Sequence, residues 1–131
     1  MTVPIRYAAW MSAGLLALLT GCAAPGDQKS VSDAFDRPAE RNLLLGLRAY
    51  DEGQYPEAER ALNEALRLKL NTPKDRATAY KTLAFIYCTS GRTGECGAAF
   101  KSARSADPSF TLSKAEAGHP VWGPIYEHSK F

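Results

Sequence analysis

The stretch YKTLAFIYCTSGRTGECGAAFKSARSADP, residues 80–108, decides the fold. With Ala77 before it, Tyr80, Leu83, Ala84 and Tyr87 recur at the three- and four-residue steps that place side chains on one face of an α-helix. Gly91 offers a left-handed stop, Thr93 an N-cap, and a second helix then carries Cys96, Phe100 and Ala103 inward as far as the Asp107-Pro108 break. Moving the chain by 38 residues lays the preceding segment on this one. Ala39 meets Ala77, Leu45 meets Leu83, Gly53 meets Gly91, Glu57 meets Glu95, Ala61 meets Ala99, and Ala65 meets Ala103. Identities that include both turn glycines indicate one supersecondary unit used twice.

Upstream, Leu43, Gly46, Leu47 and Tyr50 share a face of a first helix that opens at Pro38 and stops at Gly53. A second helix begins near Pro56, with Ala58, Ala61, Leu62, Ala65 and Leu66 on its inner stripe. Asn71-Thr72-Pro73 then breaks the chain, Thr72 capping the third helix and Pro73 opening it. No strand-like alternation of Val, Ile and Thr occurs between Pro38 and Pro108, so the fold expected is all-α.

The spacing Tyr80-x₂-Leu83-Ala84-x₂-Tyr87, Cys96-x₃-Phe100, Pro108 resembles the tetratricopeptide pattern W-x₂-L-G-x₂-Y, A-x₃-F, P. Small residues at Ala84 and Cys96 let two helices approach, and Tyr87 and Phe100 fill the space beside them. Gly46, Ala58, Leu62 and Ala65 fit the same roles in the first hairpin. That hairpin departs from the pattern at Asn42, Ala49 and Leu70, and the period exceeds the family's 34 by four residues. The resemblance implies two tetratricopeptide-like hairpins over residues 38–108, a fragment of an α-solenoid. Two hairpins leave apolar ends open. Residues 109–131 are therefore expected to cap the last one: a capping box Ser113-Lys-Ala-Glu116 opens a short turn, and a helix from about Val121 or Pro124 to Lys130 presents Trp122, Ile125 and Tyr126. An exposed Trp122 serving as a partner anchor is the alternative.

At the other end, one positive residue, Arg6, precedes an apolar run from Tyr7 to Leu19, which has the layout of a secretory leader. Thirteen residues fall short of the roughly 20 that a membrane-crossing helix needs. Leu19-Thr20-Gly21-Cys22 resembles a bacterial lipobox. That resemblance implies removal of residues 1–21, acylation of Cys22, and, with Ala23 rather than aspartate next, sorting to the outer membrane. Residues 22–37 then form a polar tether in which Val31 and Phe35 are the large apolar residues. Taking away the leader removes Arg6 and no acid, which leaves 110 residues with 15 basic and 14 acidic side chains. Such a chain is one small domain with no nucleic-acid footprint.

Suppose the hairpins curve as tetratricopeptide arrays do. Leu43, Leu47 and Tyr50, with Lys81, Phe85 and Cys88, then look into a concave groove suited to an amphipathic helix or an extended peptide. Burial of Leu47 and Phe85 under the tether or the lid is the other reading. The lone Lys81 does not reproduce a carboxylate clamp. Cys88 and Cys96 can form a disulfide in an oxidising compartment if their Cα atoms come within about 7 Å; they do not form a CxxC redox motif. His119 and His128 lack the spacing and neighbours of a zinc site. With no catalytic residues, metal or cofactor expected beyond the lipid on Cys22, the sequence is read as a non-catalytic adaptor. It would be lipid-anchored at the periplasmic face of the outer membrane and bind another envelope protein, as an accessory of a secretion, pilus or outer-membrane assembly machine. A regulator of a cell-wall enzyme and a thiol-redox enzyme are the rival functions, and self-association through an uncovered repeat face is open.

Overall fold

The computed structural model describes residues 37–131, and among these residues it is all-helical, without strands. Its helices are α1 (Pro38–Asp51), α2 (Tyr55–Arg67), α3 (Pro73–Thr89), α4 (Thr93–Ala106), α5 (Lys114–Ala117) and α6 (Gly123–His128). α1 packs chiefly on α2, and α3 on α4, so the chain forms two helical hairpins with α3 seated against both helices of the first.

The turns show why the chain folds back where it does. Gly53 has φ of 73° and Gly91 of 74°, a region that L side chains avoid. In the first turn the N–H of Gly53 donates to the Tyr50 carbonyl (3.0 Å) and that of Gln54 to Ala49 (2.8 Å). In the second, Gly91 donates to Cys88 (3.1 Å) and Arg92 to Tyr87 (2.8 Å). Every donor and acceptor is displaced by 38, so the repeat read in the sequence extends to the hydrogen bonds. Pro73 stands at the start of α3 behind Thr72, whose hydroxyl accepts from the Asp75 N–H at 3.0 Å. Two helix starts differ from expectation. α2 begins at Tyr55, and Thr93 is the first residue of α4 rather than its cap, because Arg92 supplies the non-helical backbone there.

Two apolar clusters hold the hairpins. In the first, Ala39, Leu43, Leu62, Ala65 and Leu70 receive Ala79, Leu83 and Ile86 of α3. Close approach of α1 and α2 depends on Gly46, where a Cβ would lie 2.6 Å from Leu62 Cγ. In the second, Ala84, Phe85, Cys88, Cys96, Ala99 and Phe100 pack with Leu112 and Tyr126 of the C-terminal segment. On the surface between hairpins, Arg92 binds Glu59 of α2 (2.9 Å) and Glu95 of α4 (2.6 Å). Its guanidinium also lies 4.3 Å from the centre of the Tyr87 ring.

Candidate functional site

The C-terminal segment is built to cover the second hairpin. Ser113 and Glu116 form the capping box of α5: the Ser113 hydroxyl accepts from the Glu116 N–H, and the Glu116 carboxylate accepts from that of Ser113. α6 then lies on α4. Tyr126 meets Phe100 edge-on at 5.3 Å, its hydroxyl accepts from the Leu112 N–H at 3.2 Å, and Ile125 sits beside Gly97. Arg104 of α4 clasps the far end, donating to the Ser129 carbonyl and, at 2.7 Å, to its hydroxyl. A Cβ at Gly123 would collide with the Ala117 carbonyl, so only glycine fits where α6 turns under α5.

This lid reaches past α4 to α3, which is the alternative reading of Phe85 as a residue buried under the lid. Trp122 stacks on Phe85 with ring centres 4.3 Å apart, while its indole N–H donates to the Glu116 carbonyl at 2.9 Å. Lys81 donates to the Glu116 carboxylate at 2.7 Å. Burial pushes the Glu116 carboxyl up, but the bonds from Lys81 and Ser113 outweigh it and hold the group below the usual range. The lid thus grips α3 by one apolar stack and one ion pair.

The groove expectation is corrected accordingly. Phe85 (5% exposed) is core, roofed by Trp122. Leu43 (6%) is core as well, turned between α1 and its neighbours, and Cys88 is buried in the second cluster. Lys81 is occupied by Glu116. Leu47 and Tyr50 alone, of the residues expected in the groove, remain partly exposed apolar positions. A row of rings runs from Tyr55 to the lid, with Tyr50 between Tyr55 at 5.7 Å and Phe85 at 6.4 Å. His119 closes the row, stacked on Trp122. Burial, with Tyr55, Asp51 and Glu116 nearby, pushes the Tyr50 phenol up. Trp122 is a structural element of this row, half-buried rather than a free anchor.

Cys88 and Cys96 are joined by a disulfide, with Cα atoms 5.2 Å apart across the α3–α4 turn. Both residues are buried, which is the setting of a staple, since an exchanging thiol needs access. His128 engages the Pro124 carbonyl at 2.7 Å, whereas His119 accepts from the Val121 N–H at 3.2 Å and stacks on Trp122, so the two rings serve separate contacts. Among the described residues no cluster of three His, Cys, Asp or Glu is placed to hold a metal ion, and no helix is long and apolar enough to cross a membrane. The leader expected over residues 1–21, Cys22, and all of the tether expected over residues 22–37 except Arg37 lie outside the described residues.

Sequence reasoning missed a polar cleft of about 380 Å³ between α3 and the loop leading to the lid, lined by Lys74, Thr78, Lys81, Asp107, Ser109 and Thr111. Hydrogen bonds from the hydroxyl and N–H of Ser109 hold the Asp107 carboxyl below its ordinary value. The i, i+4, i+7 polar spacing of Lys74, Thr78 and Lys81 is the signal that could have marked its α3 wall. Compared with models of known protein families, with curated proteins and with solved structures, the chain matches none.

Proposed function

We propose that the chain is a lipid-anchored periplasmic adaptor of tetratricopeptide type, which holds another envelope protein at the outer membrane without catalysing a reaction. The observation that carries this reading is the doubled hairpin, whose turn hydrogen bonds repeat at a fixed offset of 38 residues. Such stacked units expose a continuous surface for another polypeptide. The buried disulfide suits an oxidising compartment, in keeping with the lipobox-like Leu19-Thr20-Gly21-Cys22 and acylation of Cys22. The partner would contact the strip left beside the lid, Leu47 and Tyr50 of α1. An accessory role in a secretion, pilus or outer-membrane assembly machine is the class that such small anchored repeat proteins fit best.

The test is crosslinking in intact cells from a photoreactive residue at position 47. Adducts to one envelope protein are expected, confined to the membrane fraction and lost from it when Cys22→Ser blocks lipidation. Leu47→Glu should leave helicity intact, because the side chain is only half-buried, and reduce partner capture about tenfold, the effect of replacing an anchoring apolar contact by a charge. No adducts at all, adducts unchanged by Cys22→Ser, or partner capture unchanged by Leu47→Glu would refute the adaptor reading.

A further inference from the structure

Where α6 lies on α4, the two helices leave a furrow whose charge is one-sided. Two adjoining cavities make it up, one of about 360 Å³ over Gly97, Ala98 and Ile125, the other of about 350 Å³ over Arg104 and Ser105. Lys101 and Ser129 line both, and neither has an Asp or Glu in its walls. The one acid of α6, Glu127, is held by Lys130 at 2.8 Å, and that of α4, Glu95, by Arg92 at 2.6 Å. Lys101 is exposed and has no hydrogen-bond or ion-pair partner among the described residues. Arg104 donates to Ser129 through Nη2, while its Nη1 is buried with no hydrogen-bond partner among them. A base in the last turn of a helix offsets the helix dipole, which suffices for Arg104. It does not suffice for Lys101, five residues before α4 ends at Ala106, because that effect fades within one turn.

The geometry points to a binding seam for a phosphate ester that carries an apolar substituent. Lys101, Arg104 and Ser105 stand at i, i+3 and i+4, on one side of α4. An ammonium, a guanidinium and a hydroxyl grouped in this way offer donors to an ion rich in acceptors, and charge-assisted bonds of this kind are the strong ones. A ligand cation would meet two like charges and no acid to set against them. The several oxygens of a phosphate can use all three donors at once. One of them set against the guanidinium also relieves the unpartnered Nη1, since a buried donor left without an acceptor is costly. The rest of the ester lies along the other end of the furrow. There Gly97 has no side chain, and a Cβ placed on it would be 3.7 Å from Cγ2 of Ile125, so the floor is shallow and apolar. His128 takes no part, because its ring nitrogen Nδ1 donates to the Pro124 carbonyl at 2.7 Å.

Amide-resonance titration of the isotopically labelled full chain in dodecyl maltoside micelles tests this. The probes, used separately, are phenyl phosphate, inorganic phosphate, and phosphatidic acid mixed into the micelles. Phenyl phosphate, phosphatidic acid or both should shift the amides of residues 97–105 and 125–129 saturably. A response to phenyl phosphate assigns a soluble ester, and a response to the lipid alone assigns a membrane head group. Inorganic phosphate should bind at least about threefold more weakly than phenyl phosphate, because it buries no apolar surface on Ile125. Lys101→Glu, at an exposed position, should weaken the response at least about tenfold with the helical circular dichroism unchanged, and Ser105→Ala about threefold. No saturable shift with any probe overturns the proposal. So does a shift equalled by sodium chloride at the same ionic strength, a response indifferent to Lys101→Glu, or inorganic phosphate that binds as tightly as phenyl phosphate. The adaptor reading is tested at position 47 and is untouched by any of these results.

Discussion

Phe85→Ala is expected to lower the stability of the folded chain by about 3–5 kcal/mol, the range for truncating a buried phenylalanine. A domain of this size has only about 5–15 kcal/mol in hand. The ring is the point where three parts of the molecule meet: Trp122 of the lid at 4.3 Å, Phe100 of α4 at 6.1 Å and Tyr50 of α1 at 6.4 Å. Removing it leaves a void that these three rings cannot fill by small shifts, and it frees the apolar side of the lid's grip on α3. Urea unfolding followed by circular dichroism measures the loss. Phe85→Leu, which retains most of the volume, should recover more than half. If Phe85→Ala shifts the midpoint by less than the equivalent of about 1 kcal/mol, the residue is not the hub described above.

Removing the disulfide should have the next largest effect. Cys88 and Cys96 are 8 residues apart, and closing so short a loop in the unfolded chain stabilises the native state by about 2.5 kcal/mol on the chain-entropy model. Cys88→Ala with Cys96→Ala also gives up packing in the second cluster, so a total loss of about 3 kcal/mol is expected. The paired control is a reductant: it should lower the unfolding midpoint of the wild-type chain toward that of the variant and leave the variant where it is. A wild-type midpoint that ignores reductant would mean that the bond contributes nothing to folding.

Local backbone chemistry made the helix boundaries legible. Pro38, Gly53, Thr72-Pro73, Gly91 and Pro108 each restrict φ or supply a cap, and the helix ends fall within one or two residues of where they point. The offset of 38 was legible too, because equivalent turns need equivalent residues. Burial in the stack was not. Leu45 and Leu83 are the same residue at the same place in the repeat, yet one is 54% exposed and the other 2%. What differs is the neighbour, and a side chain's own identity does not encode that. The groove failed for a related reason. Ser113-Lys-Ala-Glu116 announced a capping box, and Trp122 and Tyr126 announced a lid on α4, but the reach of Trp122 to Phe85 and of Glu116 to Lys81 depends on how the loop over residues 107–113 crosses α3. Nothing in the spacing of those residues specifies that crossing. The polar cleft under the same loop was invisible for the same reason.

That the lid stands in for a third hairpin, and so confines partner contact to α1, is tested most directly by unfolding a chain carrying Trp10→Phe, in which Trp122 is the sole tryptophan. Its fluorescence reports the lid, and far-ultraviolet circular dichroism reports the helices. If the lid belongs to the same cooperative unit as the hairpins, the two urea transitions coincide in midpoint and steepness. A Trp122 transition complete while the helical signal is still native would show a separable flap, with Phe85 and the lid-facing side of α3 available to a partner after all.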